Sequence, residues 1–149
     1  MYQVLIVDDE PIVKIALRSM IDWESLGFHI CATASNGEEA LEMAERFHPD
    51  LMICDLKMPV MDGIDLIKAA KDKKMDCEFL VISNYEDFNY VRTALVLGAS
   101  DYILKVSISP EELTSQLQKV KTKLEDKQAK KEPEDSVETS LLHQERHAA

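Results

Sequence analysis

The stretch Val4-Leu5-Ile6-Val7-Asp8-Asp9-Glu10 joins an apolar run to three consecutive acids. Short apolar runs bounded by polar residues mark strands buried on both faces. The pattern recurs further along the chain. Leu51-Met52-Ile53-Cys54 stops at Asp55, Phe79-Leu80-Val81-Ile82 stops at Ser83, and Tyr102-Ile103-Leu104 stops at Lys105. Each run ends on a residue able to handle a phosphate or a metal ion.

Between the runs the apolar period becomes helical. Strand one is expected over 2–7. Pro11 suits a first helical position, and Ile12, Ile15, Ala16 and Met20 repeat behind it, with Gly27 closing the segment. Strand two is expected over 29–35. Asn36-Gly37 then makes a turn into a helix whose apolar face is Ala40, Leu41, Ala44 and Phe47, stopped by Pro49. Strand three (51–54) leads into a loop punctuated by Pro59 and Asp62-Gly63, and then a helix begun by Ile64, Ile67 and Ala70. Strand four (79–82) precedes a helix marked by Phe88, Val91 and Leu95. Strand five (102–104) precedes a helix starting at Ser109-Pro110-Glu111-Glu112, with a stripe of Leu113, Leu117, Val120 and Leu124. Five strand–helix repeats predict an α/β protein, a doubly wound parallel sheet with helices on both faces. Right-handed crossovers put every strand's C-terminal end on one edge, where such sheets bind ligands. Asp8, Asp9, Asp55, Ser83 and Lys105 are therefore expected at one mouth. The pattern fades beyond about residue 127. The expected organisation is a domain over 1–126 and a charged linker or C-terminal tail over 127–149, with Pro133 inside it.

The bulk properties narrow the class. A chain of 149 residues fits one domain with a real core. Its 17 basic and 28 acidic residues give a net charge of -11, which argues against direct nucleic-acid binding by this chain. No stretch is apolar for long enough to span a bilayer, and the N-terminus runs straight into a strand pattern without a signal peptide, so a cytoplasmic protein is expected. Cys31, Cys54 and Cys77 are odd in number and far apart, which fits neither a disulfide framework nor a zinc site. The histidines at 29, 48, 143 and 147 show no metal spacing.

The gathered acids set the chemistry. Each close carboxylate pair costs about 4 kcal/mol at an effective dielectric of ~20. Such groups raise one another's pKa unless a cation joins them. A divalent ion held by few carboxylates, with positions open to water and phosphate oxygens, is the magnesium pattern. Asp55, on a different strand from the pair, is placed to attack phosphorus. Lys105 offers a compact positive charge to a phosphate and Ser83 a hydroxyl donor. Phosphoryl transfer needs mainly positioning and charge neutralisation, and this set supplies both.

Residues 1 to about 124 resemble the receiver domain of two-component response regulators. The matching pieces are Val-Asp-Asp-Glu (7–10), Asp55 with Met58-Pro59 and Asp62-Gly63 downstream, Ser83, and Asp-Tyr-Ile-Leu-Lys (101–105). The resemblance implies a flavodoxin-like (βα)5 three-layer sandwich with strand order 2-1-3-4-5. It implies Asp55 as phosphoryl acceptor and Asp9, Asp55 and the backbone carbonyl of Lys57 as direct Mg2+ ligands. Asp8 would act mostly through a metal-bound water, Lys105 and Ser83 would bind the phosphate, and Ser83 and Tyr102 would form the switch. The donor it implies is a phosphohistidine on a sensor histidine kinase, and the responding surface, a possible homodimer interface, is the face of helix four, strand five and helix five. Ile-Asp-Trp-Glu-Ser-Leu-Gly-Phe (21–28) and Asn-Tyr-Glu-Asp-Phe (84–88) are similar to receivers that precede an AraC-type DNA-binding domain. No such domain follows within these residues, which leaves part of a longer transcription regulator or a receiver acting alone.

Two positions depart from the family. Val106 stands where proline usually follows the lysine, so a cis peptide is not expected there. Asn84 stands where a small residue usually follows the switch hydroxyl. Taken singly, every site residue has a plainer reading: Asp8 and Asp9 as acids near a helix start, Asp55 as a loop cap, Lys105 as a surface lysine, Ser83 as a local hydroxyl bond, Tyr102 as packing. The joint pattern is what favours the phosphate site. Three alternatives remain open. A degenerate receiver would signal through protein contacts alone. A phosphatase with an aspartyl nucleophile would want a second acid at position 57, which is lysine. A nucleotide-binding domain would want GxGxxG or GxxxxGK[ST], and neither is present.

Overall fold

A computed structural model of the chain describes residues 1–143, with side chains described to residue 130. It contains β1 (Tyr2–Val7), α1 (Pro11–Met20), β2 (Phe28–Ala34), α2 (Gly37–Phe47), β3 (Leu51–Asp55), α3 (Gly63–Asp72), β4 (Glu78–Ser83), α4 (Phe88–Val96), β5 (Asp101–Leu104) and α5 (Pro110–His143). The strands form one parallel sheet in the order β2-β1-β3-β4-β5. This is the flavodoxin-like arrangement expected, and the order reverses at β1–β3, beside the acids that follow β1.

Alternation along the strands divides the interior between the two sheet faces. Leu5, Val7, Met52, Cys54, Phe79 and Val81 join one core with Ala40 and Ala44 of α2, Ile64, Leu66, Ile67 and Ala70 of α3, and Val91 and Ala94 of α4. The intervening residues Val4, Ile6, Leu51, Ile53, Leu80 and Ile82 are equally buried, as the opposite face requires. The central strands thus have apolar residues on both sides, which is why they read as continuous runs rather than alternating ones.

Local signals set the element ends. The Asn36 side chain caps α2 by accepting from the Glu39 amide at 2.8 Å, and Glu39 returns a bond to the Ser35 amide at 2.8 Å. His48 closes α2 in the left-handed region, just before Pro49. Asp62 caps α3 through the Asp65 amide at 2.9 Å, and the Ser109 hydroxyl accepts from Glu112 at the start of α5.

Two expectations change. Helix α1 stops at Met20, and Gly27, at φ +91°, instead closes a short 3-10 turn over Glu24–Leu26. The buried residue of α1 is Leu17, whereas Ile12 and Ile15 are 70% and 61% exposed. Val13, Leu17 and Met20 form a second stripe at helical spacing, and packing selected that one. Helix α5 runs on to His143, so the charged segment expected as linker or tail begins as helix. The chain divides into two compact units, Met1–Gln116 and Leu117–Ala149. The first holds the sheet and α1 to α4, and the second starts within α5. The stripe expected on α5 is buried at Leu113, Leu117, Val120 and Leu124. Among the described residues no helix is long and apolar enough to cross a membrane and no peptide bond is cis, including the one before Val106.

Candidate functional site

Strand register assembles the site. Val7 pairs with Cys54, so the residues that follow, Asp8 and Asp55, emerge side by side. Strand β3 runs one residue longer than expected, and Asp55 pairs with Ile82, which places Ser83 next along the edge. Ser83 in turn pairs with Leu104, so Lys105 leaves the sheet beside it. Residues up to 97 positions apart thereby share one rim.

Ligand oxygens of Asp8, Asp9 and Asp55 lie within 4.8 Å of one another. Asp8 and Asp55 are buried, and Asp9 is exposed. One Asp8 oxygen accepts from the Glu10 amide at 2.8 Å, while Oδ2 has no hydrogen-bond partner among the described residues and faces Lys105 Nζ at 3.5 Å. Asp55 Oδ1 is approached by the Lys57 amide at 3.4 Å, and Oδ2 accepts from Lys105 Nζ at 3.0 Å. The Lys105 ammonium also meets Glu10 at 2.7 Å. Ser83 Oγ is buried and has no hydrogen-bond partner among the described residues. A buried hydroxyl without a partner is costly, which sets Ser83 apart from an ordinary strand-end serine.

Burial, and then the charge of Asp8, pushes the Asp55 carboxyl up to about 6, against the opposing pull of Lys105. Burial also raises Asp8. For Lys105 burial acts downward, but the carboxylates of Glu10, Asp55 and Asp8 outweigh it and hold the ammonium above its ordinary range. One ammonium thus serves three acids, and a deficit of positive charge remains. The donor set, all oxygen with one carboxylate atom unmatched, fits a hard divalent ion such as Mg2+.

The loop after Asp55 is shaped by close backbone approach. A Cβ on Gly63 would lie 2.5 Å from the Asp55 carbonyl oxygen and 2.8 Å from Leu56 Cα. Gly63 also donates to the Leu56 carbonyl at 2.9 Å. The Asp62-Gly63 pair therefore starts α3 and lets it close onto the end of β3.

The structure brings together Asp8, Asp9, Asp55 and Lys105, with Ser83 at the neighbouring strand end. Tyr102 is not among them. It lies 39% exposed on a groove of about 640 Å³ with Asn84, Tyr85, Phe88, Val91, Arg92, Leu95 and Leu104. Val106 is exposed. Lys57 sends its ammonium to Asp87 at 3.2 Å. Two participants carried no assigned role in the sequence reading: Glu10, the third acid of the opening stretch, and Asp87, hidden in what reads as a polar turn before a helix.

Residues 4–118 match the response regulator receiver domain. The chain is 33% identical over 143 residues to the uncharacterized transcriptional regulatory protein YesN of Bacillus subtilis, covering 96% of this chain and 39% of that one. The receiver (REC) domain of AraT, a response regulator from Geobacillus stearothermophilus, superposes with a TM-score of 0.80 at 42% identity, over 85% of this chain and 98% of that one. A two-component transcriptional regulator, AraC, from Clostridium phytofermentans superposes with a TM-score of 0.78 at 31% identity, over 87% and 99%. A five-stranded parallel sheet carrying a rim of acids, a lysine and a hydroxyl defines the class. This chain belongs to the receiver domain family of two-component response regulators, with AraC-like regulators among its structural neighbours. Receivers of this family pair with histidine kinases. The chain spans about two fifths of the length of the curated relatives it matches.

Proposed function

We propose that this receiver accepts a phosphoryl group on Asp55 from a phosphohistidine of a sensor histidine kinase, with Mg2+, and acts as a switch in transcription control. The observation that carries the reading is the convergence of Asp8 and Asp9 with Asp55, within 4.8 Å, under the Lys105 ammonium at 3.0 Å. An Asp55 oxygen forms the bond to phosphorus as the donor's P–N bond breaks, and the electron pair leaves on the imidazole nitrogen. Asp55 must be ionised to attack, and with its pKa pushed up to about 6 it is ionised at neutral pH. Lys105 holds one phosphoryl oxygen by charge, and Ser83 Oγ donates to another. Asp8, Asp9, Asp55 and the Lys57 carbonyl would hold the magnesium ion. When bound, it supplies positive charge that relieves carboxylate repulsion and draws phosphoryl oxygens in.

Movement of Ser83 and Lys105 toward the phosphoryl group shifts β5 and Tyr102, and the face that includes α4 and β5 changes its partner or pairs with a second copy. Moving such a switch from 1:99 to 99:1 takes about 5.5 kcal/mol of bias. The reading makes residues 1–126 the receiver and the remainder a connecting segment. It places the protein in the cytoplasm as a switch rather than a turnover enzyme. Incubation with acetyl phosphate and Mg2+ should label the parent and leave Asp55→Asn unlabelled; label persisting in that variant refutes the assignment.

A further inference from the structure

Asp87 immediately precedes α4, where an aspartate ordinarily caps the helix through its side chain. It makes no cap hydrogen bond here. Its carboxylate is 1% exposed, and a buried carboxylate needs a partner that repays its lost hydration. Its two oxygens reach back to two different loops. Oδ2 accepts from the Asn84 amide at 3.1 Å, and Asn84 directly follows Ser83. Oδ1 faces the Lys57 ammonium at 3.2 Å and has no other partner among the described residues. Lys57 lies two residues past Asp55, and its own amide points at Asp55 Oδ1. The Tyr90 ring lies 5.1 Å from the same ammonium. Lys57 is therefore committed to Asp87, and the positive charge at Asp55 is left to Lys105.

We propose that the Lys57–Asp87 pair is a clamp that sets the loop bearing Asp55 against the loop bearing Ser83, which makes both positioning residues for phosphoryl transfer. One buried carboxylate holds the Asn84 amide on one side of the site and the Lys57 ammonium on the other. Loss of the clamp frees the Lys57 peptide, whose amide touches Asp55 and whose carbonyl is the proposed magnesium ligand, and frees the backbone that aims Ser83. Partners one shell away from a reacting centre typically shift metal affinity or activity by about 10–100-fold. The inference rests on Asp55 as acceptor, as proposed above.

The test measures labelling of the full chain by acetyl phosphate across a Mg2+ titration, for Lys57→Met, Asp87→Asn, the double variant and Lys57→Arg. Each of the first two should slow labelling by about tenfold and raise the Mg2+ concentration for half-maximal rate. The double variant should be no slower than the slower single variant, since both remove one contact. Lys57→Arg should recover most of the rate. Lys57→Met leaves the buried Asp87 carboxylate without its cation, whereas Asp87→Asn keeps the side-chain shape with no buried charge, so circular dichroism on both separates a slowed rate from a lost fold. A Lys57→Met rate within twofold of the parent, or effects that multiply in the double variant, overturns the clamp. Label persisting in Asp55→Asn overturns the acceptor assignment instead, so the two failures are distinguishable.

Discussion

Replacing Asp55 by asparagine should stabilise the metal-free protein at neutral pH. The folded carboxyl is pushed from 3.8 up to about 6, chiefly by burial and then by Asp8. A rise of about two units corresponds to about 3 kcal/mol of differential interaction. Below pH 3.8 the group is protonated in both folded and unfolded chains and has no effect. Between about pH 4 and 6 the unfolded chain ionises first, so the native state binds the extra proton and stability falls as pH rises. Above about pH 6 the full cost persists. The asparagine side chain would carry none of it, although it accepts only a neutral bond from Lys105, so a gain of about 1–3 kcal/mol is expected at pH 7.5. Urea denaturation followed by circular dichroism, with a chelator present, measures this at pH 4 and pH 7.5. A gap that opens only at the higher pH bears out the electrostatic account. A variant no more stable than the parent at pH 7.5, or equally more stable at both, refutes it.

Mg2+ should raise the parent's stability at pH 7.5 by about 2.7 kcal/mol at 100 times its dissociation constant, and by far less in Asp55→Asn, as read by thermal melts. The same addition should lose its effect near pH 4.5, where Asp55, with a pKa of about 6, is mostly protonated. Gly63→Ala drives a methyl group into the Asp55 and Leu56 backbone; a destabilisation of about 1–3 kcal/mol is expected by urea titration, with slower labelling of Asp55. Phe88 is 63% exposed on the groove beside Tyr102, so Phe88→Glu should change stability by no more than about 0.5 kcal/mol. It should still abolish the phosphorylation-dependent self-association proposed for that face, as read by sedimentation velocity; self-association that survives the substitution refutes that role for the groove.

Much of this protein is written locally. Strands buried on both faces must be apolar at every position, so Val4–Val7, Leu51–Cys54 and Phe79–Ile82 stand out in the chain, and the polar residue ending each run marks the sheet edge. Parallel topology then carries Asp8, Asp55, Ser83 and Lys105 to one rim without any long-range information. Helix faces were less legible. Helix α1 offers two apolar stripes at the same period, and only the packed sheet selects Leu17 over Ile12 and Ile15. On α4, Phe88, Val91 and Leu95 mark the helix alike, yet only Val91 is buried and the other two are exposed along the groove.

Strand pattern and topology alone thus determined the sheet and the roster of acids, lysine and hydroxyl at its mouth, because burial and chirality act on every residue of a strand. Tertiary structure decided how the charges are shared. It gave Glu10 to Lys105, left an Asp8 oxygen and the Ser83 hydroxyl unmatched, and turned Asp87 from its helix toward Lys57. Such pairings depend on distances of a few ångströms between loops far apart in the chain, and no local period encodes them.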